Sequence, residues 1–268
     1  MEDLDLDLDN SDRVSQRIAH GVYRIIHNRK EVGEELWGIF GLHGGGFRIM
    51  TEIDLQWPIP NQQRARLDLD VTWHEQHLFV QLDAEGKRHR ATYFLSEGGA
   101  EVNVFEEPLR YADVMQGNRG KAADQSFQHA GNAQAKRVFG DTLTYGDDTF
   151  FDFGSTLMNF VHLKRLNLKL NGQAAMRAIV AMQPSLEPLT IVQTYRYVRN
   201  EVISTVVQPA VNTRRYTIEE QSQANTNAGD SPTTTIWVDD HGIVLKQDVL
   251  LGKDTHACEL VRYAWQGN

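Results

Sequence analysis

The stretch Phe-Arg-Ile-Met-Thr-Glu-Ile-Asp-Leu-Gln-Trp, residues 47–57, alternates along almost its whole length between apolar and polar side chains. Because successive side chains of a β-strand point to opposite faces, this pattern predicts a strand with one buried and one solvated face. Residues 65–73 repeat the pattern, and the side chains predicted to point inward are Ala65, Leu67, Leu69, Val71 and Trp73. A parallel sheet covered on both faces would show continuous apolar runs instead, so we predict antiparallel strands.

The charged faces of these two strands suggest how they pair. If paired residue numbers sum to about 118, Arg48 lies opposite Asp70 and Glu52 lies opposite Arg66. Each cross-strand pair of opposite charge stabilises a sheet by roughly 0.2–1 kcal/mol. This register therefore gives the charges a structural role that needs no catalysis.

Short alternating segments continue on both sides, separated by turn residues. They predict a first antiparallel meander over about residues 20–106 and a second over about residues 190–265. Within the second, residues 202–207 are predicted as a separate strand, and Asp239-Asp240-His241-Gly242 is predicted as a hairpin turn, since Gly supplies the positive φ that tight hairpins need.

The segment between the meanders, about residues 107–170, has a different composition. Residues 111–138 are rich in Gly, Ala, Gln and Asn, which indicates a mobile connection with a short helix. Ser155 is a candidate N-cap for a helix that ends at Leu166. Residues 167–172 alternate again, and this pattern favours a strand.

These patterns together predict a mainly β fold: one large, highly curved antiparallel sheet, half-barrel or barrel-like, made of two meanders around one central helix. A large sheet relieves its exposed edges when it curls. We predict a single domain over residues 13–268 that follows an acidic, disordered tail at residues 1–12. A division into two domains near residue 108 or 189 is the alternative.

Composition limits the classes of partner. The net charge of −9 argues against broad contact with nucleic acid or with anionic membrane surfaces, both of which need a basic footprint. The sequence contains a single cysteine, Cys258, so an intrachain disulfide is impossible, as suits a reducing compartment. The acidic N-terminus lacks the basic and apolar regions of a signal peptide, and the sequence has no apolar run of about 20 residues. We expect a cytoplasmic protein without membrane insertion.

Motifs that carry chemistry are weak. His74-Glu75-Gln76-His77 is the tightest histidine cluster, but residues three apart on a strand face opposite sides, so a metal site is not expected. Residues 117–122 lack the first glycine and the final Ser or Thr of a phosphate-binding loop. Cys258 is interpreted as a structural thiol and His162 as a buried, hydrogen-bonded imidazole. We expect no cofactor, while acid–base catalysis stays open, with carboxylates at Asp147, Asp148 and Asp152.

Aromatic side chains are the strongest remaining signal for a binding site. Most occupy predicted strand positions, where simple core packing is the ordinary interpretation. The alternative is that some line a pocket with a few polar groups among apolar walls. On that hypothesis the candidate ligand-binding residues are Trp57, Trp73, Tyr93, Phe160, Gln193, Tyr195 and Arg196.

Two short patterns resemble a known family. The first pattern is Gly21-Val22-Tyr23-Arg24-Ile25 followed by Val32-Gly33-Glu34-Glu35. The second is Ile236-Trp237-Val238-Asp239 followed by Gly242-Ile243-Val244-Leu245-Lys246. They resemble the soluble, lipocalin-like half-barrel proteins of the lipoprotein-carrier (LolA/LolB-like) type. The resemblance implies a curved antiparallel sheet that wraps a helix and forms an apolar concavity, often for acyl chains. Those carriers are usually exported, whereas this sequence shows no signal peptide.

The leading functional hypothesis is non-catalytic binding of an apolar or amphipathic small molecule, lipid-like or isoprenoid-like, in the concavity of the curved sheet. One alternative is a cyclase- or isomerase-type enzyme that uses the same cavity. Another is a structural or interaction module that makes contact through the acidic tail or a sheet edge. The sequence leaves open the ligand, the oligomeric state and whether the cavity is filled by the helix at residues 155–166.

Overall fold

A computed structural model describes residues 14–109, 135–222, 232–251 and 253–267. The predicted acidic tail, most of the predicted connection at 111–138 and the glycine-containing segment at 117–122 lie outside these ranges. The described residues form fifteen strands and one helix, α1, at Met158–Leu166. The strands are β1 Val14–His27, β2 Lys30–Leu42, β3 Phe47–Leu55, β4 Asn61–Leu69, β5 Glu75–Ala84, β6 Lys87–Ser96, β7 Gly99–Pro108, β8 Lys136–Leu143, β9 Thr149–Asp152, β10 Gln173–Met182, β11 Glu187–Ile203, β12 Val211–Ser222, β13 Thr233–Val238, β14 Val244–Leu251 and β15 Asp254–Trp265.

All fifteen strands belong to one sheet, in the order β8-β7-β6-β5-β4-β3-β2-β1-β15-β14-β13-β12-β11-β10-β9. The first meander runs outward from β1 to β8, and the second runs outward from β15 to β10. The two meanders join where β1 pairs with β15. Every pair is antiparallel except β9 with β10, which is parallel. The predicted fold class, a large curved antiparallel sheet that is not closed, is confirmed.

The alternation in β3 and β4 is confirmed along most of its length, since Ile49, Ile53 and Leu67 are buried. The predicted register is wrong by two residues: paired numbers sum to 116, so that Arg48 lies opposite Asp68, with Nε and Oδ1 2.6 Å apart. A slip of two residues leaves every side chain on its face, so the apolar pattern alone could not distinguish the two registers.

The end of β4 also differs from the prediction. Val71 was expected to point inward but is 67% exposed. Trp73 packs against the core as expected, although it does so from the turn before β5, where its φ is 67°. The Asp70 carboxylate organises this turn by accepting the backbone N–H groups of Thr72 and His74. A side-chain cap of this kind competes with the strand ladder and ends it.

Three further differences lie between and within the meanders. Residues 167–172, predicted as a strand, form a turn in which Asn167 and Asn171 have positive φ. The separate strand predicted at 202–207 is wrong, because β11 continues to Ile203 and a loop follows it. The segment predicted as loop and helix contains two strands, β8 and β9, and the second meander begins with β10 rather than near residue 190.

The sheet curls until its two ends approach each other. Gln63 on β4 donates from Nε2 to the carbonyl of Phe153, just after β9, over 2.7 Å. Tyr93 on β6 donates its hydroxyl to the carbonyl of Leu186, in the turn after β10, over 2.9 Å. The predicted hairpin turn at residues 239–242 is also present between β13 and β14, with Gly242 at a φ of 95°. The single-domain assignment of residues 13–268 stays a prediction.

Candidate binding site

Helix α1 occupies the concave side of the sheet. Its buried side chains are Met158, Phe160, Val161 and His162, and each is at most 1% exposed. Phe160 makes an edge-to-face contact with Trp73, with ring centroids 5.2 Å apart. The predicted helix is therefore present, although it begins at Met158 rather than directly after Ser155. Its apolar face fills the concavity as core.

A buried carboxylate on β2 holds the start of the helix. Glu35, 1% exposed, accepts hydrogen bonds from the Ser155 hydroxyl and from the backbone N–H of Thr156. The Ser155 hydroxyl oxygen in turn accepts the backbone N–H of Leu157. The N-cap of α1 is Leu157, which makes no side-chain capping hydrogen bond, so the prediction of Ser155 as N-cap is wrong. Burial raises the pKa of Glu35, while these hydrogen bonds act to lower it.

A buried ion pair holds the end of the helix. Arg165 donates from Nη1 to Glu75 Oε2 on β5 over 2.5 Å and to the carbonyl of Thr149 over 2.9 Å. Tyr145 donates its hydroxyl to the same carboxylate oxygen over 2.8 Å. Burial raises the pKa of Glu75 to about 7 in spite of the charge of Arg165. The contacts at both ends fix α1 against the sheet.

A polar network crosses the core beside the helix. His162 is fully buried, and its Nε2 lies 3.3 Å from the carbonyl of Phe151, to which only an N–H can donate. Nδ1 is then unprotonated and accepts the hydroxyl of Tyr195 over 2.7 Å. Burial lowers the pKa of His162 and raises that of Tyr195. The interpretation of His162 as a buried, hydrogen-bonded imidazole is confirmed.

A pocket of about 140 Å³ remains at the C-terminal end of α1, between the helix and strands β12 and β13. Its apolar walls are Phe160, Leu163, Leu168, Tyr216 and Val238. Its polar groups are Lys164, Asn167, Arg214 and Asp240, and Gly242 of the β13–β14 turn completes it. A Cβ at Gly242 would lie 3.5 Å from Phe160, so the turn packs closely on the helix.

Two cationic groups face this pocket. The Lys164 ammonium lies 5.2 Å from the centroid of the Phe160 ring. Partial burial lowers the pKa of Lys164, and the nearby charge of Arg214 lowers it further. Arg214 donates from Nη2 to the carbonyl of Asp239 over 2.8 Å, whereas its buried Nε has no hydrogen-bond partner within the described chain. The pocket thus combines apolar walls with incompletely satisfied cations.

A second hollow, of about 220 Å³, lies under the β11–β12 loop and is lined by Ser204, Thr205, Val206, Leu245, Lys246, Glu259 and Leu260. Both of its charged groups already have partners. Lys246 binds Asp248 over 2.9 Å, and Glu259 accepts Arg24 Nη2 over 2.9 Å. One wall, Val206, is 60% exposed on the loop. This hollow therefore offers less for the recognition of a ligand than the pocket on α1.

The structure separates the ligand-binding candidates predicted from the sequence. Of these candidates, Phe160 lines the pocket on α1. Trp73 contacts the Phe160 ring but does not line the pocket. Gln193 and Tyr195 belong to the buried polar network, with the Tyr195 hydroxyl 3.3 Å from Gln193 Oε1.

The other three candidates lie elsewhere. Tyr93 is fully buried against Phe151, with ring centroids 5.5 Å apart. Trp57 is 45% exposed in the β3–β4 loop and stacks on His27. Arg196 is exposed and donates to Gln173 Oε1 over 3.0 Å.

Sequence reasoning missed most of the pocket. Two of its parts had a signal in the sequence. Lys164 follows Phe160 by four residues, which places both on one face of the predicted helix, and the turn at Gly242 was predicted. Arg214 and Tyr216 lie on β12, where nothing in the local sequence indicates that they meet the end of the helix.

The described residues contain neither a metal-binding cluster nor a membrane-spanning helix. In those ranges, no three His, Cys, Asp or Glu side chains form a group that could hold a metal ion. No helix in that part of the chain is long and apolar enough to cross a membrane. Asp148, one of the acid–base candidates, is exposed and pairs with Arg177 over 3.0 Å. That ion pair holds the pKa of Asp148 below its ordinary value.

Comparisons with known proteins agree with the fold. No family model matches the chain, and none of the curated proteins matches it. A beta-barrel-like protein of the domain of unknown function DUF1849 from Brucella abortus is similar over 94% of this chain and 99% of its own, with 10% identity and a TM-score of 0.55.

Two other solved structures are more distant. A DUF1089 family protein from Pseudomonas aeruginosa matches 79% of this chain and 87% of its own, with 14% identity and a TM-score of 0.44. The hypothetical lipoprotein YmcC from Escherichia coli matches 91% and 83%, with 9% identity and a TM-score of 0.35. The likeness to the Brucella protein shows that this chain has a barrel-like β fold.

Proposed function

We propose that the protein is a non-catalytic binding protein that holds the apolar part of a small amphipathic molecule in the pocket at the C-terminal end of α1. The observation that supports this most strongly is the composition of that pocket, in which five apolar side chains meet the polar side chains of Lys164, Asn167, Arg214 and Asp240. An amphipathic molecule presents both kinds of surface, and polar groups in a ligand site fix the orientation of the ligand. A cytoplasmic location remains part of the proposal, supported by the single cysteine.

The size of the pocket limits the ligand. A cavity of about 150 Å³ accepts benzene, whereas sites for drug-sized molecules occupy roughly 300–1,000 Å³. At about 140 Å³, the pocket has room for one ring or a short alkyl chain. A long acyl or isoprenoid chain would have to leave most of its length outside this pocket, because the pocket is too small to hold it.

A titration with hexan-1-ol, a neutral short-chain amphiphile, tests the proposal. Each buried methylene contributes about 0.8 kcal/mol, so after the cost of association we expect dissociation constants in the millimolar range. Methyl NMR spectra should show saturable shifts at Leu163, Leu168 and Val238. Leu168→Trp should abolish these shifts by filling the pocket.

Leu170→Trp is the matched control, because Leu170 is 51% exposed and does not line the pocket. It should bind hexan-1-ol as the wild type does. Native mass spectrometry of gently purified protein provides a second test. Hexan-1-ol shifts that persist in Leu168→Trp, or a long-chain lipid that copurifies at full occupancy, would contradict the proposed site.

A further inference from the structure

The pocket on α1 contains two cationic side chains that form no ion pair with a carboxylate of the described chain. Lys164 and Arg214 both line it, in a chain whose net charge is −9. Within the described ranges, no carboxylate lies within 4 Å of either cation. A protein with an excess of acidic residues could pair both groups, so their lack of ion partners indicates a place for an external anion.

The acidic residues beside the pocket do not replace such an anion. Asp239 is buried, and its carboxylate accepts the backbone N–H of Ile243 over 2.8 Å and the hydroxyl of Tyr263 over 3.2 Å. Asp240 lines the pocket, but Arg214 Nη2 approaches its backbone carbonyl, at 3.4 Å, rather than its carboxylate. Asp239 acts on Lys164 only as a nearby charge, and Arg214 also interacts with the Tyr216 side chain, so neither cation has a carboxylate within ion-pair distance.

The arrangement of Arg214 points the same way. Its Nε is buried without a hydrogen-bond partner among the described residues, and a buried unsatisfied donor destabilises a protein. A guanidinium presents its donors in a planar fork that matches a carboxylate or phosphate. An anionic group at the rim could accept these hydrogen bonds while its apolar part contacts Phe160 and Leu163.

We propose that the ligand of this pocket is a small amphipathic anion, whose carboxylate or phosphate binds Arg214 and Lys164 and whose apolar end occupies the pocket. This inference rests on the proposed function and narrows it from amphipathic molecules in general to anionic ones. A carboxylate and a phosphate both accept hydrogen bonds through negatively charged oxygen atoms.

Heptanoate, hexyl phosphate, hexan-1-ol and hexylammonium carry the same hexyl chain and differ in the polar group, so their affinities separate the two proposals. Hydrogen bonds to charged groups are stronger than neutral ones by about 1 kcal/mol. At least one of the two anions should therefore bind roughly fivefold more tightly than hexan-1-ol, and hexylammonium should bind most weakly. Comparison of the two anions distinguishes carboxylate from phosphate recognition.

Variants locate the preference. Lys164→Gln and Arg214→Gln should each weaken binding of the preferred anion several-fold more than binding of hexan-1-ol, so that the ratio of the two affinities approaches one. Arg214→Lys keeps the charge and should retain part of the preference. Lys169→Gln is the matched control, since Lys169 is exposed and does not line the pocket, and should bind all four probes like the wild type.

Hexan-1-ol binding that equals or exceeds that of both anions overturns the anion proposal and leaves the proposed function standing. Failure of all four probes to bind overturns both. An anion preference that Lys164→Gln and Arg214→Gln do not change would place the anion elsewhere and overturn the assignment to these two residues. Lys164 lies at the surface of the helix, so its variant tests the proposal even if Arg214→Gln does not fold.

Discussion

Replacement of Arg165 by Met tests how the helix is held in the concavity. The change removes the partner of Glu75 and leaves the carbonyls of Thr149 and Asp147, each 2.9 Å from the guanidinium, without their donors. It also removes the contact of the guanidinium with the Phe150 ring, 4.3 Å from its centroid. Net hydrogen bonds contribute about 1 kcal/mol each, so these losses should cost about 2 kcal/mol of unfolding free energy at any pH.

A second contribution depends on pH. The pKa of Glu75 is about 7 in the folded protein and has an ordinary value of 4.5. A carboxyl whose folded pKa is raised favours the folded state below its unfolded pKa, and this advantage is lost as the pH rises toward the folded pKa. Ionisation of Glu75 therefore costs the wild type on the order of 3 kcal/mol between these two pH values.

In Arg165→Met the positive charge is absent, so the pKa of Glu75 rises further and the carboxyl stays protonated above pH 7. Above pH 7, Glu75 of the wild type is ionised and its stability no longer falls with pH. The free energy of unfolding of the variant continues to fall there, by about 1.4 kcal/mol for each pH unit. The total loss should be about 2 kcal/mol at pH 5 and about 3.5 kcal/mol at pH 8, within the range for breaking a buried ion pair.

Urea unfolding at the two pH values, with linear extrapolation to water, measures these losses. In the double variant Glu75→Gln/Arg165→Met the loss should no longer increase with pH relative to Glu75→Gln alone. Arg177→Met, which breaks the exposed pair with Asp148, should cost less than about 1 kcal/mol at either pH. Equal losses for Arg165→Met at pH 5 and pH 8 would refute the charge interaction between Arg165 and Glu75.

Three further substitutions or reactions probe other contacts. Phe160→Ala should lower the free energy of unfolding in urea by about 3–5 kcal/mol, because Phe160 is fully buried. The control Leu170→Ala, at an exposed position, should lower it by less than about 1 kcal/mol. Similar losses for the two variants would contradict the packing of α1. Ser155→Ala should cost about 1–3 kcal/mol, because the buried carboxylate of Glu35 loses a donor; an unchanged midpoint would show that this contact does not hold the helix. Burial raises the pKa of Cys258 to about 12, so the native thiol should react with iodoacetamide at pH 8 far more slowly than in urea, and equal rates would contradict this.

The sheet could be predicted because its signal is local. Alternation at residues 47–55 and 61–69 indicates which face is buried, and the turn at Gly242 follows from the conformational freedom of glycine. The register of β3 with β4 was not determined by the same signal, since a two-residue slip conserves both faces. Strands β9 and β10 were missed, because their parallel pairing is non-local and the Phe-rich segment of β9 shows no alternation.

The candidate site could not be predicted for a related reason. Aromatic residues on strands point to the concave face, but the sequence pattern does not show which part of that face α1 covers. Tyr93 and Tyr195 proved to be core, and Trp57 lies outside it in a loop. The pocket arises where the end of one helix meets a strand about 50 residues later in the chain, and only the fold brings Lys164 and Arg214 together.

The most direct test of this account is the location of bound hexan-1-ol by intermolecular NOEs to the methyl groups of the protein. Among the described residues, the buried face of α1 packs in the concavity, and the proposed site lies at the C-terminal end of this helix. We therefore predict NOEs to Leu163, Leu168 and Val238, which line the pocket. NOEs to Leu157 and Val161, which are buried within the helix packing, would show an open cavity in the core and contradict the account.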